Sequence, residues 1–186
     1  MKFYESGDNR KPVIFLFPGT CCLYSSFDHV LDGLHSYFYT VAVSYDGFDP
    51  NEKTEFYSME DECEKIEQEI RTKYGGRIKA AYGCSLGGSF VSLLIQRKRI
   101  HIDHGIIGSS DMDEAGNLVA KIQASMVVPF MYKMIHTGAL PKFMQKKLNK
   151  TDEVKKELYN GFLNMFGIGK GGNPWITKQS IYNQFY

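Results

Sequence analysis

The sequence predicts an α/β fold, with a parallel sheet flanked by helices, and three observations lead to this prediction. Short apolar or β-branched runs of strand length alternate along the chain with segments of helical periodicity. The run PVIFLF at 12–17 is continuously apolar, as strands are when helices cover both faces of a parallel sheet. A tight glycine-rich turn at 83–88 joins one such strand directly to a helix. This alternation is typical of sheets built from right-handed crossovers.

The first elements are marked by changes in the spacing of apolar residues. The strand at 12–17 ends at the turn sequence PGT, and a helix is predicted over 27–38, where apolar side chains recur every three or four positions. The β-branched and aromatic run YTVAVSY at 39–45 is the second predicted strand, and it ends at an Asp-Gly turn.

The middle of the chain repeats this order. Residues 59–74 are rich in charge and carry one apolar stripe, which predicts a surface helix that ends at the glycine pair 75–76. The strand RIKAAY at 77–82 leads into the glycine-rich turn, which contains Ser85 and is called the serine turn below, and then into a helix at 87–99. A fourth strand is predicted at 102–108, so the three crossovers connect four strands.

The alternation stops near residue 115, and the remaining chain is predicted to be helical. Residues 118–150 are rich in Met, Phe, Leu and Lys, and breaks are expected at Pro129, Gly138 and Pro141. Further helices are predicted at about 151–166 and from 175 onward. The intervening glycine-rich sequence GIGKGG does not follow a strand, so it predicts no dinucleotide site.

Composition and charge exclude several classes of function. The 186 residues carry a formal net charge of +1, which argues against a nucleic-acid-binding protein. No apolar run has the length of a membrane span, and the polar N-terminus lacks a signal-peptide pattern, so a cytoplasmic location is expected. Neither a metal nor a cofactor is expected, because the cysteines lack metal-site spacing and are expected to be free thiols. These cysteines are Cys21, Cys22, Cys63 and Cys84.

A reactive serine is predicted at the turn between the third strand and its helix. Gly83 to Gly87 read G-C-S-L-G, which fits the pattern G-x-S-x-G of a nucleophile turn. Glycines on both sides of Ser85 would remove side chains where strand and helix crowd together. The helix N-terminus would favour developing negative charge beside the hydroxyl. The alternative is a tight strand-to-helix turn with a serine cap.

On this turn, and on the loop Pro18-Gly19-Thr20 after an earlier strand, the sequence resembles the α/β-hydrolase superfamily. The resemblance covers about residues 12–111 and implies an α/β-hydrolase-like parallel sheet with a helical cap after the fourth major strand. It also implies Ser85 as nucleophile, with the backbone N–H groups of Leu86 and Thr20 as the oxyanion hole. The family often has His-Gly where this chain has Pro18-Gly19, so the side-chain hydrogen bonding of the loop differs.

The general base is the part of the site that the sequence does not supply in the family's usual place. The resemblance implies an acid and then a histidine downstream of the serine. His136 is the only histidine far downstream, and the alternative is a polar position in a cap helix. Asp111 follows the fourth strand and is the candidate acid, with a loop or helix-capping aspartate as the alternative.

The resemblance also implies an incomplete core. Residues 1–114 are expected to form the hydrolase core and residues 115–186 the cap, as one structural unit. Complete family members return after the cap with further strands that bear the acid and histidine, and this chain is expected to lack them. The strand at 102–108 would then be an exposed edge, and self-association or poor solubility is expected unless the cap covers it.

The leading functional hypothesis is a serine hydrolase that cleaves small carboxylic esters or thioesters through an acyl-enzyme on Ser85. An acyltransferase would use the same site, and the expected partner is a small apolar acyl substrate. The alternative from another class is a catalytically silent binding or assembly module that keeps the fold and the turn but has no base.

Overall fold

In the computed structural model, the described residues form one sheet of five strands. They are β1 (Lys2–Ser6), β2 (Val13–Phe17), β3 (Tyr39–Ser44), β4 (Arg77–Cys84) and β5 (His101–Gly108). Their order across the sheet is β1-β3-β2-β4-β5. Strands β2 to β5 are parallel to one another, and β1 pairs antiparallel with β3. The sequence-based prediction of a mainly parallel sheet is therefore confirmed.

Seven helices are present in the described part of the chain. They are α1 (Asp28–His35), α2 (Met59–Tyr74), α3 (Leu86–Arg97), α4 (Asn117–Thr137), α5 (Lys142–Leu148), α6 (Glu153–Asn164) and α7 (Lys178–Phe185), and a 3₁₀ turn (Tyr24–Phe27) precedes α1. The structure describes residues 1–110, 117–168 and 171–185, and it describes their side chains except those of 117–121, 123 and 147.

Strand β1 was not among the strands predicted from the sequence. The segment KFYES has polar residues at both ends and only half-buried side chains, so it lacks the apolar run that marks the inner strands. Tertiary contacts hold it in place instead. The Phe3 ring packs edge-on against Phe15 with centroids 6.1 Å apart, and the Tyr4 hydroxyl donates a 2.8 Å hydrogen bond to Asp49.

Helix α2 shows how local sequence sets the ends of an element. The Ser58 side chain accepts a 3.2 Å hydrogen bond from the Asp61 N–H, which satisfies one of the free donors of the first turn. Acidic residues occupy the first turn and basic residues the last, as the helix dipole favours. Gly75 ends the helix with φ of 64°, a left-handed conformation that glycine adopts at little cost.

Helix α4 continues through a proline that was expected to break it. Pro129 lies inside the helix, although proline removes one backbone hydrogen bond there. Packing offsets this loss, because Ala124, Val128 and Ile135 on one face of α4 are fully buried in the core. The expected break at Gly138 is present, since its φ is 66° and its N–H donates to the Met134 carbonyl at 2.8 Å.

The sheet has a core on each face. One core contains alternate residues of the inner strands, such as Phe15 and Phe17, together with the buried faces of α2, α3 and α7. The other is smaller and packs Ile14 and Leu16 against Phe27 and the apolar side of α1. Alternation of side chains along a strand explains why neighbouring residues of β2 serve different cores.

Strand β5 differs from the other parallel strands in its exposure. Among the strands that the structure describes, it pairs only with β4, and none of its residues is buried, whereas four of the five residues of β2 are buried. Ile106 and Ile107 are 48% and 42% exposed. The sequence predicts an exposed edge at this strand, and the strand order agrees with that prediction. Self-association through the edge stays a prediction.

Candidate active site

Ser85 lies at the junction of β4 and α3 in a strained backbone conformation. Its φ and ψ are 55° and −125°, outside the regions that side-chain-bearing residues commonly occupy. The residue is exposed, while Leu86, Gly87 and Gly88 after it are buried. A strained residue persists only where the surrounding structure holds it in place. Such residues concentrate at functional sites.

Glycine is required on both sides of the turn because the backbone approaches itself closely. A Cβ atom on Gly83 would lie 2.0 Å from the carbonyl oxygen of Gly87. A Cβ atom on Gly87 would lie 2.1 Å from the carbonyl oxygen of Phe17 at the end of β2. The spacing of glycines in the sequence therefore follows from contact between β4, α3 and β2.

The loop after β2 lies against the serine turn. A Cβ atom on Gly19 would lie 3.3 Å from the Cys84 carbonyl oxygen and 3.7 Å from the Ser85 Cβ. The next residue, Thr20, is half-buried. Leu86 is the first residue of α3, so its N–H has no partner within the helix. The loop that carries Thr20 and the N-terminus of α3 therefore both lie beside Ser85.

Electrostatics at the start of α3 favour negative charge. The unpaired N–H groups of a helix N-terminus carry a partial positive charge. The first turn of α3, which the structure describes in full, contains no acidic side chain that would cancel this charge. An oxyanion that forms beside Ser85 would be stabilised there.

Helix α7 anchors the loop after β2. The N–H of Cys21, a residue with φ of 59°, donates a 2.7 Å hydrogen bond to Oε1 of Gln184. Gln184 is buried, and its Nε2 has no hydrogen-bond partner within the described residues. From the other side, the Tyr45 hydroxyl donates to the Pro18 carbonyl at 3.1 Å. The loop that carries Thr20 is therefore fixed on both flanks.

The same helix anchors a second loop, the one that follows β3. The Phe56 N–H donates a 3.2 Å hydrogen bond to Ser180 Oγ, and Asn183 Nδ2 donates a 2.7 Å bond to the Phe56 carbonyl. Ser180 and Gln184 are one turn apart and so share one face of α7. The sequence predicted this helix, but nothing in its composition indicated that Ser180 and Gln184 hold the two loops, so neither residue was predicted.

Comparison with known proteins identifies the fold. No protein-family profile and no curated protein sequence matches the chain. A protein of the α/β-hydrolase family from Desulfitobacterium hafniense superposes with a TM-score of 0.74 at 14% identity, over 99% of this chain and 70% of that one. A structure from work on carboxylesterases of the thaumarchaeon Nitrososphaera gargenis gives a TM-score of 0.70 at 16% identity, over 99% and 66%.

A thermophilic esterase from Thermogutta terrifontis, with malate bound, gives a TM-score of 0.70 at 14% identity, over 99% of this chain and 66% of that one. The chain has the α/β-hydrolase fold. It spans 66–70% of the length of these three structures. In this α/β-hydrolase fold, Ser85 stands at the carboxyl end of β4, where ligands bind to parallel sheets.

His136, the histidine with the best position in the sequence, lies near the C-terminal end of α4. Its ring centroid is 5.0 Å from that of Tyr132, and its Nδ1 is buried without a hydrogen-bond partner among the described residues. The carbonyl of Ile135 accepts a 2.7 Å hydrogen bond from the Asn173 N–H, so this end of α4 is held by the segment before α7. The base role of His136 stays a prediction.

The other four histidines of the chain are exposed or have polar partners other than Ser85. His35 Nε2 lies 2.9 Å from Ser6 Oγ, and His101 Nε2 lies 3.2 Å from an Asp103 oxygen. The other two, His29 and His104, are exposed. In residues 1–110, 117–168 and 171–185, no histidine is hydrogen-bonded to Ser85. Asp111, the candidate acid, lies outside the described residues.

Three of the four thiols are buried, and all four are free. Burial, together with the nearby Cys84 thiol, raises the pKa of Cys22 to about 12. Burial also raises the pKa of Cys63 to about 12. Cys84, next to Ser85, is only partly buried. Low-pKa thiolates are the reactive form of cysteine, so the buried thiols are not candidates for the nucleophile.

The described residues show neither a metal site nor a membrane span. No cluster of three or more His, Cys, Asp or Glu side chains suitable for a metal ion occurs among them. None of the described helices combines the length and apolar character needed to cross a bilayer.

Proposed function

We propose that this chain carries the nucleophile and the oxyanion hole of a serine hydrolase that cleaves small carboxylic esters or thioesters. The observation that carries the proposal is the strained, exposed backbone of Ser85 at the N-terminus of α3, with the Thr20 loop beside it. Two of the similar structures come from proteins described as a carboxylesterase and an esterase, which supports ester substrates.

In the proposed reaction Ser85 Oγ loses its proton to a base and bonds to the substrate carbonyl carbon. The carbonyl oxygen becomes an oxyanion that accepts hydrogen bonds from the N–H groups of Leu86 and Thr20. The carbon–oxygen or carbon–sulfur bond to the leaving group then breaks, and the leaving group takes the proton from the base. Water attacks the acyl-enzyme in the same way, releases the acid and restores the Ser85 hydroxyl.

The base is proposed to be His136, with Asp111 as the acid that orients it. The unpartnered Nδ1 of His136 supports this assignment, since a ring nitrogen without a hydrogen bond can accept a proton. Because no described histidine is hydrogen-bonded to Ser85, catalysis through His136 would require its side chain to move into contact with the Ser85 hydroxyl.

The second candidate function is a catalytically silent module with the same fold. One observation favours it: the Ser85 hydroxyl makes no hydrogen bond to any described histidine. Under this alternative the serine turn persists as a structural element, and the chain binds a ligand or a partner without turnover.

The deciding experiment measures covalent reaction of the folded chain with a fluorophosphonate by intact mass spectrometry. We expect one adduct, which Ser85→Ala abolishes and His136→Ala slows by about 10²–10⁴-fold, the usual contribution of a general base. Far-ultraviolet circular dichroism verifies that the variants are folded. A folded chain that forms no adduct supports the silent module. An adduct that is insensitive to His136→Ala excludes His136 as the base.

A further inference from the structure

Helices α4 and α5 expose large apolar side chains where a helix that packs on a core usually exposes polar ones. On α4 these side chains recur with helical spacing, and Met126 is 75% exposed. Phe130, one turn later, stacks on Phe143 of α5 with ring centroids 6.4 Å apart. Phe143 is itself 66% exposed. The two helices therefore share one apolar surface that faces solvent.

The charge of this region is unlike that of the rest of the chain. Residues 117–151 contain six lysines and no aspartate or glutamate. The remainder holds 16 Lys and Arg against 21 Asp and Glu, a net charge of −5. The near-neutral total thus conceals one strongly basic segment. Its exposed lysines include Lys133, Lys142, Lys146 and Lys150.

The lysines lie next to the exposed apolar side chains. Lys146 is one turn after Phe143 on α5, and Lys142 and Lys146 are one turn apart, so they share a side of that helix. We define the α4–α5 face as Met126, Phe130, Lys142, Phe143 and Lys146. The opposite side of α4 is buried in the core, and no described residue covers the exposed apolar side chains of this face.

We propose that the α4–α5 face docks on the surface of an anionic phospholipid bilayer. Exposed Phe and Met side chains can enter the boundary between headgroups and acyl chains, while lysines bind the phosphate and carboxylate groups of anionic lipids. The centres of protein interfaces are depleted in lysine, which makes a protein partner a poorer match. The docking is peripheral, since no described helix can span a bilayer.

This inference does not depend on Ser85 or on turnover. Bound lipid would contact α4 and α5, whereas the serine turn belongs to β4 and α3. A chain without hydrolase activity would dock equally well, and a hydrolase would gain access to substrates dissolved in the membrane.

The test is co-sedimentation of the purified chain with unilamellar vesicles. Vesicles of phosphatidylcholine alone are compared with vesicles that also contain phosphatidylserine, at low and at high salt. We expect binding to the phosphatidylserine vesicles at low salt and weak binding in the other conditions, because attraction between exposed charges is screened by salt. The double variant Lys142→Gln/Lys146→Gln is expected to bind the phosphatidylserine vesicles at least about 10-fold more weakly.

Matched controls separate this face from general charge and apolarity. Lys53→Gln/Lys178→Gln removes the same charge from exposed positions outside α4 and α5 and is expected to leave binding unchanged. Met126→Ser/Phe143→Ser is expected to weaken binding at both salt concentrations, whereas Tyr37→Ser, at an exposed aromatic residue near α1, is not. Equal loss in face and control variants, equal binding to both vesicle types, or sedimentation without vesicles would overturn the proposal.

Discussion

The N–H of Ser85 donates a 2.9 Å hydrogen bond to the carbonyl oxygen of Gly108. This bond joins the strained serine turn to the last residue of β5, the strand at the open edge of the sheet. The position of the proposed nucleophile thus depends on a strand that, in the described part of the chain, is paired on one side only. Contacts that stabilise β5 are therefore expected to stabilise the conformation of the serine turn as well.

The close approach around the serine turn makes Gly87 intolerant of any side chain. We expect Gly87→Ala to lower the free energy of unfolding by more than about 3 kcal/mol, because its Cβ would lie 2.1 Å from the Phe17 carbonyl oxygen. Gly33→Ala in α1 is the matched control, since its Cβ would meet no atom within 4 Å. That change is expected to stabilise by about 0.5–1 kcal/mol. Chemical denaturation measures both, and equal effects would contradict the structure.

The Thr20 N–H is proposed to bind the oxyanion, and proline removes that hydrogen without adding charge. We expect Thr20→Pro to lower kcat for ester hydrolysis by about 10²–10³-fold, the usual effect of losing one oxyanion donor. Thr20→Ala keeps the N–H and is expected to retain kcat within about 3-fold. Steady-state kinetics on short-chain esters provide the measurement. Equal losses in the two variants would show that the Thr20 side chain, and not its N–H, matters.

Glu62 is fully buried on α2, and its protonation is expected to make stability depend on pH. Burial raises its pKa from 4.5 to about 7, although Lys65 and the Asp46 N–H hydrogen-bond to it and oppose the shift. Between these pH values the folded chain holds a proton that the unfolded chain has lost. The contribution is thus fully present below about pH 4.5 and is lost as the pH rises through about 7.

The expected loss from this group is on the order of 3 kcal/mol in the free energy of unfolding. Glu62→Gln is expected to flatten the pH dependence, while Glu60→Gln, an exposed position on the same helix, should leave it intact. Urea unfolding near pH 5 and near pH 8 gives the comparison. A wild-type slope that survives in Glu62→Gln would assign the dependence to another group.

Cys84 is the only partly exposed thiol of the four, so alkylation should distinguish it. Native protein treated with iodoacetamide is expected to gain one label, and Cys84→Ala is expected to gain none over the same time. Under denaturing conditions the wild-type chain should take four. Peptide mass spectrometry reads out the sites. Native labelling of Cys21 or Cys22 would mean that the loop after β2 opens readily.

Apolar runs and helical spacing predicted the inner strands and most helices, because those elements bury one consistent face. β1 was missed because its place is set by antiparallel pairing with β3, in which Lys2 lies opposite Ser44, 42 positions along the chain, and not by its own composition. Pro129 was expected to end a helix, but burial of Val128 and its neighbours outweighs the lost hydrogen bond. Local rules fail where distant contacts decide the outcome.

The candidate site divides in the same way. The glycines around Ser85 are recognisable in the sequence as the pattern G-x-S-x-G, although Gly87 is required by its contact with the Phe17 carbonyl of β2 and Gly83 by contact within the turn. The bond from Cys21 to Gln184 joins residues 163 positions apart, and no periodicity marks it. The base is the least determined element from sequence, since its geometry requires helix positions that only tertiary structure supplies.

The anchoring of the Cys21 loop by Gln184 has a consequence for synthesis. A ribosome that adds about 5–20 residues per second needs roughly 10–30 s to pass from one residue to the other. During that interval β2 and β4 can pair and the serine turn can form, yet the loop that carries Thr20 lacks its partner on α7. We expect nascent chains arrested before residue 178 to contain a formed turn beside an unanchored loop, so the site matures in two stages during translation.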